Sequence, residues 1–326
     1  MEFHHSPDIL VDRASIPIPS GTNPMEWLIR DGHVFQLGMG QYGFGPMFVG
    51  LMNYFDEMFN ELSVPFSPDQ FVFPTLISID AMSRCDYFTS FPHSCCFVSH
   101  LQEENVLPFA NRVKKHKKFS LHNRELSDVN YMLSPAVCFH WYNRLSDQVL
   151  PYNDEVRAVT AKGKCFRYES SNFETLERMW DFTMRELIFV GSGKKVMECR
   201  SQSIELWKQR LNQLGMAYTI ESATDPFFGS DAEMLSRFQS TFSLKYEIRA
   251  TLPYSSGSLA VGSFNYHQDH FGRAFNITLR DAGSACTACT AVGLERWAFA
   301  FLCQFGSDKR DWPKDVVEFI GGGSDD

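Results

Sequence analysis

Residues 283 to 302 read GSACTACTAVGLERWAFAFL, with Cys286 and Cys289 just ahead of a Gly-Leu-Glu-Arg that opens an apolar, helix-like run. The cysteine spacing is that of a thioredoxin-type redox pair. Such pairs sit at a helix start after a parallel strand, and no unit of that kind surrounds this one. The pair is also half of a zinc finger, yet the chain has no second C-x-x-C and no histidine pair to complete it. A metal held here must recruit ligands from distant parts of the chain.

The segment KCFRYESSNFETLERMWDFTMRELIFVG, Lys164 to Gly191, carries a second set of reactive types. It reads as two strands around a polar loop, with Arg167 and Glu169 on the first and Glu186 on the second. Residues two apart on a strand face the same way, so Arg167 and Glu169 share a face. A plain hairpin with solvated charges shows the same alternation. Two further patterns carry less. GMGQYG, Gly38 to Gly43, fits G-x-G-x-x-G, but no βαβ unit surrounds it and Pro46 starts the next helix after the glycines end, so it reads as a loop. RVKKHKKFSLHNR, Arg112 to Arg124, gathers basic residues in an acidic chain; it is a solvated helix end or a landing site for an acidic partner.

The elements that must position these residues are legible from periodicity. The 326 residues suffice for a full core, and a net charge of -9 with pI near 5.6 argues against a nucleic-acid coat. No apolar run approaches the roughly 18 residues of a membrane span, and MEFHHSPDIL lacks the order of a signal peptide, so the chain reads as cytoplasmic. Nine cysteines without framework spacing read as mostly free, buried thiols. A helix starts at Pro46, and QFVFPTLIS is a strand broken by Pro74, hence an edge or an interface. YMLSPAVCFHWY, GKCFRYES and DFTMRELIFVG read as strands. KVMECRSQSIELWKQRLNQLG is a helix closed by Gly215. AYTIES, a short helix over Asp231 to Gln239, the strands FSLKYEIRATL, SLAVGSFNY and GRAFNITL, and a last helix from Gly293 follow. Adjacent strands with few helices between them imply an α+β domain with a mainly antiparallel sheet flanked by helices. The expected organisation is an N-terminal extension at 1–45, with residues 1 to about 30 draped over the surface, a catalytic domain at 46–318, and a disordered tail at 319–326.

A helix leading into a Pro-bearing strand, then Phe-Arg-x-Glu with a loop and returning strand, then Gly-x-Glu-Arg opening a helix, resembles the three ordered motifs of class II aminoacyl-tRNA synthetases. RMWDFTMRE and SIELWKQRLNQLGMAYTIES are similar to the seryl branch. DPFFGSDAEML, AVGSFNYHQDHFG and TACTAVGLER resemble its truncated homologues, the amino acid:[carrier protein] ligases. The resemblance implies ATP-dependent activation of a small amino acid, glycine or alanine, as the aminoacyl-adenylate, followed by transfer to the phosphopantetheine thiol of a holo-carrier protein. It implies Zn2+, one per subunit, on Cys138, Glu186 and Cys289, with Cys286 a bystander. Arg167 would hold the α-phosphate and substrate carboxylate, Arg296 the γ-phosphate, Glu169 the adenine edge and Phe182 the ring. Glu186 and Asn265 would meet the amino acid. Mg2+ accompanies ATP; where the seryl enzymes place a glutamate shortly before the counterpart of Asn265 this chain has SLAVGSFN, and Glu247 is the substitute. The helix at 231–239 would be the accessory carrier-docking helix, with Arg237 and Gln239 as contacts. A homodimer is expected, with Pro74 near its interface. A seryl-type tRNA ligase is the alternative, disfavoured because only about 45 residues precede the first motif, and a non-catalytic aminoacyl-ligand binder is the third reading.

Overall fold

The computed structural model describes residues 7–151, 156–168, 173, 175–229 and 231–321. Eight strands form one sheet: β1 (Ile9–Asp12), β2 (Asp69–Phe71), β3 (Arg157–Phe166), β4 (Asp181–Gly191), β5 (Tyr218–Ser222), β6 (Lys245–Leu252), β7 (Gly257–Gln268) and β8 (Cys286–Gly293). Their order is β1-β5-β6-β7-β8-β4-β3-β2, antiparallel at every step except β3 to β2. Strand β4 is buried from Met184 to Gly191, so both of its faces meet protein. Leu187 and Phe189 enter one core, and Met184, Ile188 and Val190 the other.

The first core is covered by α1 (Pro46–Ser63), while α2 (Cys138–Arg144) packs in the second. Helices α3 (Gly193–Leu214) and α5 (Leu294–Phe305) share the first face, and α4 (Ala232–Thr241) has no buried residue. Pro46 suits the first turn of α1 because its missing N–H would have no partner there, and Phe48, Leu51, Phe55, Met58 and Phe59 follow at helical spacing to the core. Gly215, at φ 69°, ends α3 in the left-handed conformation that glycine adopts without strain. Helix α5 is buried nearly all round, and its buried Gln304 is satisfied: the side-chain amide donates to the Ala217 and Thr251 carbonyls and its oxygen accepts from the Ala217 N–H.

One buried ion pair ties α1 to the sheet. Arg185 Nε and Nη2 donate to the two Asp56 oxygens at 2.6 and 3.0 Å, and Lys162 adds a third bond at 2.6 Å. Burial would raise the Asp56 pKa, but hydrogen bonds from Arg185 and Lys162 outweigh it and hold the carboxyl below its ordinary value. Asp56→Ala leaves the Arg185 charge buried without a counterion, and should lower stability by about 3–5 kcal/mol in urea unfolding.

The structure corrects several expectations. Residues 7–45 are not draped: β1 pairs with β5 at the sheet edge, and Met25, Leu28 and Val34, from helix Met25–Arg30 and the hairpin Val34–Gly38/Gln41–Phe44, are buried in the first core. GMGQYG spans the end of that hairpin: Gly38 and Gly43 lie on its strands and Gly40, at φ 67°, in the turn between them. YMLSPAVCFHWY is a strand only at Tyr131–Leu133, because Ser134-Pro135 ends it and the aromatic run after Cys138 turns helical to bury Trp141 and Tyr142. GRAFNITL ends helix His270–Ala274 and turns at Asn276, φ 51°, leaving a two-residue strand, Thr278–Leu279. QFVFPTLIS divides around Pro74: Asp69–Phe71 is the main sheet's edge strand and Leu76–Ser78 joins a separate small sheet. Helix Lys314–Gly321 carries regular structure past the boundary drawn at 318, while 322–326 lie outside the described residues.

Candidate active site

Cys138, Glu186 and Cys289 come together. Glu186 and Cys289 sit on adjacent strands, β4 and β8, where Glu186 is paired with Ala291 and Ile188 with Cys289. Cys289 and Ala291 face the second core, as does Cys138, the first residue of α2. The ligand atoms of all three lie within 4.8 Å of one another and all three residues are buried. The three thus stand on two strands and a helix start, Cys138 opening a helix where YMLSPAVCFHWY was expected to be a strand. Cys286 lies an odd number of residues from Cys289 on one strand, so it points to the opposite face. There it meets Tyr266 and the first residue of α3, Gly193. Facing opposite sides of β8, Cys286 and Cys289 are not placed to form a redox pair with each other.

The donor set fits a metal ion. Glu186 Oε1 accepts from the Val137 N–H at 3.1 Å, while its Oε2 is buried with no hydrogen-bond partner among the described residues. A buried acceptor without a donor is costly, and a cation would satisfy it. Burial, aided by the negative Cys289 sulfur, pushes the Glu186 carboxyl up to about 8. The Cys138 thiol donates to Cys289, which pushes Cys138 well above its ordinary value and holds Cys289 well below. Two sulfurs and one carboxylate match a three-ligand zinc site with one open position. In metal-free protein the two shifts oppose each other between about 4.5 and 8: the folded state keeps a proton on Glu186 that the unfolded chain releases, and gives up one on Cys289 that the unfolded chain keeps, so stability should change little with pH. Thermal unfolding across that range, with and without added zinc, checks this; zinc should make stability rise with pH, since its binding displaces the protons still held by Glu186 and Cys138.

Asn265 lies directly across from Cys289 on β7, and its amide donates to the Cys289 sulfur at 3.4 Å and to Ser263 Oγ at 3.0 Å. His267 is a residue that sequence reasoning missed. Its Nε2 stands 3.8 Å from the Cys289 sulfur, and its Nδ1 is 3.0 Å from Thr287 Oγ1. The available signal was its position two residues beyond Asn265 on a strand. With Nδ1 accepting from the Thr287 hydroxyl, Nε2 carries the proton and donates to sulfur, which orients the thiolate. His267→Ala should weaken zinc affinity about 10- to 100-fold in chelator competition.

Arg167 and Arg296, the two arginines expected to meet phosphates, stand at the ends of neighbouring elements. Arg167 follows the last residue of β3, donates from Nε to the Pro135 carbonyl at 3.0 Å, and lies 5.5 Å over the Phe182 ring. Its charge draws on both Glu186 and Asp225. Arg296, in the first turn of α5, donates to the Ala260 carbonyl of β7 at 3.2 Å. Beside it, buried Glu295 accepts from the Thr183 N–H and hydroxyl and from Lys164, which locks the start of α5 to β4. Glu169 lies outside the described residues. Glu247 is paired with Ser263, Ser263 with Ala291 and Ala291 with Glu186, so Glu247 lies in one cross-strand row with the cluster, three strands and roughly 14 Å away. Its oxygens are already engaged by Lys245 and Arg249, each at 3.0 Å. The accessory helix residues are engaged too: Arg237 pairs with Glu233, and Gln239 turns inward, donating to Asp225 at 2.8 Å while accepting from its N–H.

Comparison with known proteins agrees with this geometry. The family model for the tRNA synthetase class II core domain (G, H, P, S and T) matches residues 119–305. A type-2 serine–tRNA ligase of Methanothermobacter thermautotrophicus is 29% identical over 308 residues, which are 92% of this chain and 60% of that protein. Amino acid–[acyl-carrier-protein] ligase 2 of Bradyrhizobium diazoefficiens is 31% identical over 251 residues, 76% of this chain and 73% of that one. In fold, the chain is similar to M. kandleri SerRS in its crystal structure with A. aeolicus tRNASec, with a TM-score of 0.87 at 22% identity, covering 97% of this chain and 63% of that one. A matched core of that extent, built on a mainly antiparallel sheet, places the chain in the class II aminoacyl-tRNA synthetase core family.

Proposed function

We propose that the protein activates a small amino acid with ATP and passes the acyl group to the phosphopantetheine thiol of a carrier protein. The observation that carries the reading is the buried Cys138–Glu186–Cys289 cluster with Asn265 beside it. In the first step the amino acid carboxylate oxygen attacks the α-phosphorus, and the bond to pyrophosphate breaks. Arg167 faces the charge that grows on the α-phosphate and Arg296 the charge on the leaving group; both are planar donors suited to gripping two oxygens. Phe182 and the aliphatic part of Arg167 offer a flat, partly apolar bed for a base, and Asn265, whose amide N–H groups already donate to Ser263 and Cys289, offers its carbonyl oxygen as an acceptor next to the amino acid. The metal, held by Cys138, Glu186 and Cys289, would bind the α-amino group and so fix the substrate's orientation. Magnesium enters with the nucleotide, and Glu247 approaches it only on exchanging Lys245 or Arg249 for the ion. In the second step the thiol sulfur bonds to the adenylate carbonyl carbon, AMP leaves and the thiol proton is released.

The carrier is favoured as acceptor by the 31% identity to a carrier-protein ligase and by the net charge of -9. A seryl-tRNA ligase is the second reading, supported by the 29% identity over 92% of the chain. No described helix is long and apolar enough to cross a membrane. Cytoplasmic placement and a homodimer are part of the proposal, the latter through α1 and the outer edge of β2, where Val72 is 88% exposed. The test supplies ATP, magnesium and labelled amino acids with holo-carrier protein and total tRNA in one reaction. Label on the carrier, lost when the phosphopantetheine arm is absent, is the expected result; label on tRNA alone overturns it.

A further inference from the structure

Helix Glu103–His116 has no buried residue, so its position comes from a clamp. The Arg112 guanidinium forks onto both Glu125 oxygens at 2.7 and 2.6 Å and also donates to the Ser120 carbonyl at 2.8 Å. The His122 N–H donates to the same carboxylate, and the Phe109 and Phe119 rings meet edge to face at 6.0 Å. The helix end and the chain returning to Arg124 therefore form a self-braced unit around buried Glu125. The chain that leads toward this unit passes the active-site side of the sheet, where the Cys96 sulfur accepts from the Trp180 indole and the Ser94 carbonyl accepts from the N–H of Tyr168, next to Arg167.

The clamp engages Arg112 and leaves Lys114, Lys115, Lys117, Lys118 and Arg124 exposed, with no ion pair to another described residue. Five such cations on one braced helix end oppose the sign of a chain whose net charge is -9. A local field opposite to the mean charge steers an oppositely charged partner to one place and repels it elsewhere. On α4, by contrast, Arg237 is neutralised by Glu233 and Gln239 is bound to Asp225. Exposed Leu107 and Phe119 lie within the same unit, which suits a protein surface better than bare phosphates.

We propose that the basic end of this helix, Lys114 to Lys118 with Arg124, docks the acidic face of the carrier protein; this deepens the carrier-ligase reading and rests on it. The test is a variant with Lys114→Ser, Lys115→Ser, Lys117→Asn and Lys118→Ser, asparagine being chosen because Lys117 has φ 48°. An unchanged unfolding midpoint and unchanged ATP–pyrophosphate exchange establish that fold and activation are intact. Transfer is then measured to acidic holo-acyl-carrier proteins and to pantetheine, at several salt concentrations. The expected result is a fall of roughly 10-fold or more in kcat/KM for the carrier at low salt, a flattened salt dependence, and no change with pantetheine. Equal carrier kinetics in variant and wild type overturn the docking surface while the ligase reading stands. Wild type that charges only tRNA, with the variant impaired on it, overturns both and makes the patch a nucleic-acid surface. Wild type that charges neither carrier nor tRNA also overturns both.

Discussion

Arg167→Ala should lower the rate of ATP–pyrophosphate exchange by about 10²- to 10³-fold, the loss seen when one preorganised donor to developing charge is removed. The guanidinium is placed by its bond to the Pro135 carbonyl and by its seat over Phe182, so it loses little freedom on meeting substrate. Its charge also favours the ionised form of Glu186, in keeping with the proposed role of meeting the substrate carboxylate as well as the α-phosphate. Lysine at this position keeps the charge but not the fork, and should recover only part of the rate. Because Pro135 lies three residues before Cys138, the variant's zinc content must be measured alongside. Full zinc with exchange within threefold of wild type would remove Arg167 from the reaction.

Cys289→Ser should abolish both zinc binding and activation, whereas Cys286→Ser should leave both intact. Serine keeps nearly the shape of cysteine but is a poor zinc ligand at neutral pH, since zinc takes thiolate, imidazole and carboxylate donors. Loss of one of only three protein ligands leaves Glu186 and Cys138 buried and anionic or neutral without a cation, so elemental analysis should show zinc near zero. Cys286 points at Tyr266 and α3, on the sheet's other side, and has no path to the ion. Equal losses in the two variants would sink the ligand assignment, and a Cys289→Ser protein that keeps its zinc would do the same.

What the sequence by itself determined were the features set within a few residues or by motif order. Runs of aromatic and branched residues marked β4 and other long strands, Pro46 and Gly215 marked helix ends, and the three motifs named the family and singled out Cys138, Glu186 and Cys289, which the fold brings together. Tertiary structure decided which face, which register and which partner. The aromatic run after Cys138 satisfies strand and helix patterns alike, and only its packing against Phe271 and the second core makes it α2. Residues 7–45 lack periodicity, yet β1 has a ladder partner more than two hundred residues away, Glu221 opposite Ile9. His267 reaches Cys289 across the β7–β8 pairing and Gln239 turns from α4 to Asp225, contacts that no local pattern specifies, whereas Glu247 is held by Lys245 and Arg249, two residues either side of it on its own strand. Local propensity acts over a turn or a strand, whereas the chemistry of this site depends on contacts made across the whole fold.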